Sequence, residues 1–453
     1  MGRLFGTDGA RGVAVTELTC ETAMQIGRAT ALVLCRKFGG KAKILIGKDT
    51  RISSDVIEAA LVAGVLSMGA DAVSLGVVPT PAVAYLVKEM NAGAGIMISA
   101  SHNSMEFNGI KLFSDSGFKL SDDVEEEIEA LVLDTPEKLT ELQKNGCNVG
   151  RYIHDSEAVD RYVSHLLFTG EKSFSGLRIA VDCANGSAFA TVEKLFSGMG
   201  AKVYLLSCSP DGCNINDHCG STHLDNLVEF VKGNNCDLGL AFDGDADRCL
   251  CIDEKGEIVD GDMLIAIFAA DMKNRGVLQK DTAVVTVMTN IGFSIFAKEK
   301  SINIAQTKVG DRYILEQMLL SGYNLGGEQS GHIIFRDYAT TGDGQLTAVQ
   351  LLSIMVRTGK KLSELASVME RFPQVMVNVR IDSKWKEAWK NIPRIEDIIN
   401  SKSEELGNTG RILVRESGTE PLIRVMIEGK RFDLINKMAL EIADVIKESC
   451  PAM

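Results

Sequence analysis

The sequence predicts three similar α/β units in a row, followed by a smaller α+β domain. Three observations carry this. The chain has 453 residues, more than one compact core accommodates. A β-branched run that ends in polar or glycine residues, followed by an amphipathic helix and a second strand, recurs along the chain. After Pro373 that pattern gives way to a strand, helices and a strand–turn–strand.

The repeat is legible in order. "AKILIGKDTRISS" (42–54) reads as strand, polar turn and helix start, and "GADAVSLGVVPTP" (69–81) supplies the next strand. "LRIAVDCANGSA" (177–188) and "GAKVYLLSCSPDG" (200–212) give the same order, and "DTAVVTVMTNIGFS" (281–294) with "SINIAQTKVGD" (301–311) gives it again. These are βαβ units of a parallel or mostly parallel sheet, whose reactive groups sit in loops at the carboxyl ends of strands. "SDDVEEEIEALVLDTPEKL" (121–139) is read as a charged helix with a solvated acidic face that closes the first domain. "GQLTAVQLLSIMVRTGKKLSELASVMERF" (344–372) is helix-rich. Beyond Pro373, "VMVNVRI", two helices and "GRILVRESGTEPLIRVMIEG" complete a small α+β domain. Boundaries fall near 153, 254 and 370, giving domains 1–153, 154–254, 255–370 and 371–453.

The totals narrow the function. Hydrophobic residues make up 45% and charged residues 24%, the balance of an ordinary globular protein. A net charge of -13 repels nucleic acid and anionic membranes, so neither is expected as a partner. An anionic small substrate needs a local basic cluster instead. Eleven cysteines without a regular frame, no signal-peptide stretch and no run long enough to span a bilayer point to a cytoplasmic protein with reduced thiols. Cys213, His218 and Cys219 fit no common zinc spacing and read as turn residues.

The chemistry concentrates in a few loops. "GIMISASHNSMEFNGIKLF" (95–113) starts as an apolar strand and stops in a Ser-His-Asn loop. Ser101 and His102 there can serve backbone donors, or Ser101 can carry a phosphoryl group beside the small residues and Lys111. "AFDGDADRCLCID" (241–253) alternates Asp243, Asp245 and Asp247 after a strand. Carboxylates this close repel unless a cation lies between them, and oxygen-only ligands favour Mg²⁺ or Ca²⁺. An EF-hand loop needs glycine at its sixth position, where Arg248 stands, so an open Mg²⁺ site for phosphoryl transfer fits better. "GGEQSGHIIF" (326–335) offers Glu328 and Ser330 for sugar hydroxyls and His332 as a proton carrier, or else is a glycine-rich hairpin with a buried histidine. "RESGTEPLIR" (415–424) groups Arg415, Ser417, Gly418 and Thr419 in one turn, a pattern suited to phosphate or to a structural Arg–Glu pair. "FGTDGARG" adds Arg11 and "TKVGDRY" adds Lys308, each a surface cation when read alone.

Taken together these loops resemble the α-D-phosphohexomutase superfamily, and its bacterial glucosamine branch most closely. "GTDGARG", "ISASHN", "NINDHCGSTH", "DGDADR", "TKVGDRY", "GGEQSGH", "TTGDG" and "RESGTEPLIRVM" follow one another in that family's order over essentially the whole chain. The resemblance implies four domains around a central cleft, the last similar to the TATA-binding-protein fold. It implies that Ser101 is the phosphorylated serine and that Asp243, Asp245, Asp247 and the phosphoserine hold one Mg²⁺. Glu328 and Ser330 are then sugar contacts, Arg415 to Thr419 hold the substrate phosphate, and Arg11, Lys111, Arg248 and Lys308 offset charge in flight. His102 completes the serine loop, and His332 or Lys111 manages the proton. The expected reaction interconverts glucosamine 6-phosphate and glucosamine 1-phosphate through a hexosamine 1,6-bisphosphate, and a homodimer is what related enzymes suggest. Ser104 departs from the family, where proline usually follows His-Asn and stiffens the turn. Ala10 replaces a commonly larger residue.

Overall fold

The computed structural model describes residues 3–6, 8–36, 42–385, 388–407, 410–416 and 422–451. They divide into two compact units: residues 3–288 with 301–368, and residues 289–300 with 369–451.

The first unit carries three sheets. In chain order it begins β1 (Ala10–Val13), α1 (Cys20–Leu34), β2 (Lys43–Lys48), α2 (Ser53–Ser67), β3 (Asp71–Val77), α3 (Thr80–Glu89), β4 (Ala94–Ile98), β5 (Phe107–Ser114), α4 (Asp122–Leu133), α5 (Pro136–Glu141) and β6 (Tyr152–His154). These strands form one sheet in the order β1-β5-β4-β2-β3-β6. β2, β3, β4 and β6 run parallel, whereas β5 returns antiparallel along β4 and β1 along β5. Every residue of β4 is buried, as expected for a strand covered on both faces.

Next come α6 (Ala158–Thr169), β7 (Arg178–Asp182), α7 (Val192–Gly198), β8 (Lys202–Leu206), α8 (Asp225–Asn234), β9 (Leu238–Phe242), β10 (Cys249–Asp253) and β11 (Ile258–Val259). Their sheet order is β11-β10-β9-β7-β8, parallel at β9-β7-β8 and antiparallel at β10 and β11. The third group is α9 (Gly261–Asn274), β12 (Thr282–Thr286), α10 (Ile291–Glu299), β13 (Asn303–Thr307), α11 (Asp311–Ser321), β14 (Leu325–Gly327), β15 (Ile333–Phe335), α12 (Gly344–Thr358) and α13 (Leu362–Ala366). Its sheet runs β13-β12-β14-β15. Each of the three predicted βαβ repeats is therefore a parallel strand pair, and each sheet adds an antiparallel return strand that the repeat alone did not signal.

The second unit holds α10, β16 (Gln374–Arg380), α14 (Pro393–Leu406), β17 (Gly410–Glu416), β18 (Leu422–Gly429) and α15 (Phe432–Ser449). Its antiparallel sheet, β16-β18-β17, packs its apolar face on α15 through Ile423, Val425, Ile427, Ile435, Met438 and Ile442. Among the described residues one α-helix rather than two separates β16 from β17. The remaining turns there are short 3₁₀ pieces, and the second long helix follows β18.

The acidic run at 121–139 also differs from its expected form. Pro136 starts a new helix, so the run is two helices, α4 and α5. One of its acids is not solvated: Glu129 is 3% exposed and accepts the backbone N–H groups of Arg3, Leu4 and Phe5 at 3.0, 2.7 and 2.6 Å. Burial alone raises a carboxyl pKa, but these three donors hold that of Glu129 below its ordinary value. No helix among the described residues is long and apolar enough to cross a membrane.

Asp343 shows how the fold sets a pH response. It caps α12, accepting Leu346 N–H at 2.9 Å, and both carboxyl oxygens lie 2.9 Å from the Tyr162 hydroxyl. Burial pushes its pKa up to about 6 despite those donors. The folded chain then keeps a proton that the unfolded chain gives up near pH 4. This carboxyl's contribution to stability is complete below that pH and is lost as pH rises through about 6. Asp343→Asn keeps a capping oxygen and removes the charge. In thermal unfolding from pH 4 to 8 it is expected to stabilise the chain above pH 6, by roughly 2 kcal/mol, and to give no gain at pH 4.

Candidate functional site

The serine loop is a consequence of register. β5 pairs antiparallel with β4, Ile98 opposite Ile110 and Met97 opposite Lys111, so residues 99–106 form the turn between them. That is why a lysine ten residues downstream of Ser101 lies beside the strand that ends in the serine. Ser101 is 1% exposed and has φ +53, a left-handed conformation unusual for serine. Its Oγ donates to Asp243 Oδ2 at 2.6 Å and lies 3.3 Å from His102 Nδ1. Burial, with Arg248 and Arg11 nearby, pushes His102 down to about 4, so its ring is neutral at physiological pH.

β9 is buried at every position and delivers Asp243 directly after Phe242; β10 carries the chain back from Cys249. Between them Asp243, Asp245 and Asp247 place carboxylate oxygens within 4.8 Å of one another, all three side chains buried. Asp245 Oδ2 accepts from Thr80 Oγ1 at 2.5 Å and Lys111 Nζ at 2.7 Å. Asp245 Oδ1 and Asp247 Oδ1 are buried with no hydrogen-bond partner. Burial and the two neighbouring carboxylates push Asp243 well above the usual carboxylate range. Two orphaned anionic oxygens and a carboxyl that resists ionisation fit a hard cation bound to oxygen ligands.

Cations surround this cluster. Lys111 is 2% exposed, with Asp245, Asp8 and Asp247 oxygens at 2.7, 3.3 and 3.4 Å. Burial disfavours its charge, but those three carboxylates more than offset it, and its pKa lies above the ordinary lysine value. It therefore supplies positive charge to the cluster. Arg248 Nε lies 3.8 Å from Asp247 Oδ1, and Asp243, Asp247 and Asp8 likewise outweigh its burial and hold it charged. Arg11 sits on β1 opposite Gly109 and pairs with Asp8. Asp8 also meets Lys119 Nζ at 2.6 Å, and Lys119 reaches Asp311 at the start of α11 at 2.5 Å. His332 lies between Asp247 and Asp311, at 3.6 and 3.5 Å, and is 3% exposed. Both acids pull its pKa up against burial. Gly342 N–H lies 3.1 Å from His332 Nε2 on the same side as Asp311. The ring is thus buried between two carboxylates from different loops.

The "GGEQSGH" segment is the β14–β15 hairpin, and it is seated on the aspartate loop. Gly331 has φ +89, and a Cβ there would lie 2.4 Å from Cys249 O; Cys249 N–H donates to Gly331 O at 3.1 Å. Gly331→Ala adds both a left-handed penalty and a backbone clash. It is expected to cost roughly 2–4 kcal/mol of stability, read by denaturant unfolding. Glu328 Oε1 accepts Gly310 N–H at 3.0 Å, tying the hairpin to the "TKVGDRY" loop, and Ser330 Oγ is buried without a partner.

The structure brings together Ser101, His102, Lys111, Arg11, Arg248, Asp243, Asp245, Asp247 and His332, with Glu328 and Ser330 on the adjoining hairpin. Lys308 stays at the surface after β13, its Nζ 5.9 Å from the Tyr313 ring. In the second unit Arg415 lies on β17 directly opposite Arg424, and burial with that neighbouring charge lowers its pKa. Ser417, Gly418 and Thr419 lie outside the described residues. The sequence motifs assign nothing to Asp8, Asp49, Arg51, Thr80, Lys119, Asn216 or Asp311, although all but Lys119 lie inside the segments quoted above.

Comparison with known proteins follows the same boundaries of chemistry. Models of the phosphoglucomutase/phosphomannomutase family match in chain order: alpha/beta/alpha domain I at residues 2–138, domain II at 160–256, domain III at 260–372 and the C-terminal domain at 376–445. The chain is 50% identical over 452 residues to a phosphoglucosamine mutase of Clostridium novyi, covering 100% of each. It is 51% identical over 448 residues to that of Acetivibrio thermocellus, covering 99% of each. Among solved structures, a phosphoglucomutase/phosphomannomutase family protein of Burkholderia thailandensis superimposes with TM-score 0.81 at 23% identity, over 99% of this chain and 98% of the other. Aspergillus fumigatus N-acetylphosphoglucosamine mutase, in complex with GlcNAc-6P and magnesium, gives TM-score 0.72 at 17% identity, over 99% and 96%. At those identities the structural likeness speaks to the fold, while the full-length sequence matches bear out the family read from the ordered motifs: the chain belongs to the phosphoglucomutase/phosphomannomutase family of α-D-phosphohexomutases.

Proposed function

We propose that the chain interconverts glucosamine 6-phosphate and glucosamine 1-phosphate through a phosphoserine at Ser101. The observation that carries the reading is Ser101 Oγ, buried 2.6 Å from Asp243 beside two carboxylate oxygens that receive no hydrogen bond. The phosphoglucosamine mutase relatives at 50–51% identity support the amino sugar as substrate. In this reading the domains divide near residues 153, 254 and 370.

In the forward half-reaction the free sugar hydroxyl attacks phosphorus, the bond from phosphorus to Ser101 Oγ breaks, and the hydroxyl's proton ends on the released Ser101 Oγ. The substrate becomes a 1,6-bisphosphate. After it turns around, its other phosphoryl group returns to Ser101 Oγ. Asp243, Asp245 and Asp247 would hold Mg²⁺, which when bound offsets charge on the phosphoryl oxygens. Lys111 and Arg248, both held cationic by neighbouring carboxylates, provide positive charge that needs no reorganisation during transfer. Arg11, positioned by Asp8, is the third cation. His102 Nδ1 is within reach of the proton on Ser101 Oγ. Glu328 and the buried Ser330 hydroxyl are the sugar contacts. The Arg415–Arg424 strand pair, with Ser417, Gly418 and Thr419 next in sequence, suits a phosphate dianion, which guanidiniums recognise through paired N–H donors.

Incubation with Mg²⁺, glucosamine 6-phosphate and a trace of hexose 1,6-bisphosphate, followed by ³¹P NMR, tests the substrate. A glucosamine 1-phosphate signal that outpaces parallel glucose and mannose phosphates is expected. Turnover of the other sugars alone would overturn the amino-sugar assignment. Release of inorganic phosphate alone would replace the mutase with a phosphatase.

A further inference from the structure

Two side chains from different sheets grip the same two carbonyls of the serine loop. Arg51, at the start of α2 and 1% exposed, donates Nη2 to Ser101 O at 3.0 Å and to Asn103 O at 2.8 Å, and Nη1 to Ser104 O. Asn216, 8% exposed, lies in the loop between β8 and α8. It donates Nδ2 to Ser101 O and to Asn103 O, both at 2.9 Å. Ser101 O and Asn103 O thus each accept from two donors, which uses both lone pairs of each oxygen.

The other side of Ser101 is held as well. Arg51 Nε donates to Asp49 Oδ2 at 2.9 Å, Ser99 Oγ donates to the same oxygen at 2.6 Å, and Ser101 N–H donates to Ser99 Oγ at 2.9 Å. A left-handed serine is costly on its own and persists only where its surroundings over-determine it. Here five side-chain hydrogen bonds meet at its N–H, its carbonyl and the carbonyl of Asn103.

Asn216 is also the link to the metal loop. A Cβ on Gly244, between Asp243 and Asp245, would lie 2.5 Å from Ser101 O and 2.9 Å from Asn216 Nδ2. Asn216 N–H in turn donates to Ala184 O at 2.9 Å, anchoring the residue in the sheet that carries the aspartates. The serine loop, Asn216 and the aspartate loop therefore meet at van der Waals contact.

We infer that Arg51 and Asn216 form a two-sided clamp that fixes Ser101 Oγ against the aspartate loop, with Asn216 as the positioning residue that couples the two loops. The inference rests on the phosphoserine mutase reading and deepens it. Chemistry needs Oγ in one place both when it carries the phosphoryl group and when it does not, and the clamp acts on backbone atoms that do not change between those states.

The test uses Asn216→Ala and Asn216→Asp in the full chain. Both leave Arg51 on the carbonyls, and aspartate keeps the side chain's size while removing the donor. Hydrogen–deuterium exchange at residues 99–104, without substrate, is expected to quicken on the order of tenfold in both variants, with the rest of the chain unchanged. kcat is expected to fall on the order of ten- to a hundredfold with KM within about twofold, as for a misplaced reacting atom. Folded variants whose 99–104 amides exchange at the wild-type rate would overturn the clamp. So would global unfolding of Asn216→Ala, which would make Asn216 a general structural residue. A wild-type protein without mutase turnover would sink the underlying reading instead, and the exchange result would still judge the clamp.

Discussion

Ser101→Ala is expected to lower mutase turnover by roughly three orders of magnitude or more, the scale on which loss of a covalent nucleophile is felt, while the chain stays folded. The geometry makes the distinction sharp. Ser101 Oγ has two side-chain neighbours, Asp243 Oδ2 and His102 Nδ1, so the substitution removes few contacts. It leaves one buried carboxylate oxygen without its donor, which costs roughly 1–3 kcal/mol. Thermal unfolding should therefore move by a few degrees while turnover collapses. If the aspartates instead served a hydrolase that takes phosphate directly to water, Ser101→Ala would keep most of its activity. The same samples distinguish the two by inorganic phosphate release.

Lys111→Met is expected to have the largest effect on stability of any single substitution considered for this site. Lys111 is buried among Asp245, Asp8 and Asp247, and it joins β5 of the first sheet to the aspartate loop of the second. Methionine preserves most of the volume but leaves two buried carboxylates, Asp245 and Asp247, and the half-buried Asp8 without their shared cation. Removing one partner of a buried ion pair costs roughly 3–5 kcal/mol, and this cation has three partners. Denaturant unfolding of Lys111→Met should show a loss at the upper end of that range, with activity falling in parallel. A variant that unfolds like wild type would show that Lys119, Arg11 and Arg248 alone neutralise the cluster.

The contrast between these two variants reflects what the sequence could reveal. Ser101, Asp243, Asp245, Asp247, Arg248, Glu328 and His332 were legible because each stands in a short polar loop that follows an apolar strand, and Lys111 because it is a charge within the otherwise apolar strand β5. The carboxyl end of a strand in an α/β unit is where reactive groups gather. The alternation of three aspartates carried its own electrostatic argument. Asp8, Lys119 and Asp311 were not legible, because their meaning lies in one another: Lys119 bridges residues 111 and 192 positions away. Asp49, Arg51 and Asn216 were missed for the same reason. Arg51 reads as an ordinary cation at a helix start until the serine loop is folded back onto it.

The fold shows the same division. The three parallel pairs followed from local periodicity, whereas β5, β10 and β15, which return antiparallel and fix the reacting loops, depend on pairings that periodicity does not encode. The acidic run at 121–139 misled in a related way. Counting charge gave a solvated face, but Glu129 turns inward to satisfy the chain's first described residues. His332, a candidate proton carrier by residue type, lies buried between Asp247 and Asp311, neighbours that the motif alone did not signal.

The central claim is that Ser101 hands its phosphoryl group to the sugar. A single-turnover experiment tests it most directly. Protein phosphorylated with ³²P-labelled hexose 1,6-bisphosphate and freed of excess label is mixed with Mg²⁺ and glucosamine 6-phosphate, then quenched. Label is expected to leave Ser101 and appear in glucosamine bisphosphate and then glucosamine 1-phosphate, one equivalent for each phosphorylated chain. Label that stays on the protein, or that appears only as inorganic phosphate, would contradict the claim.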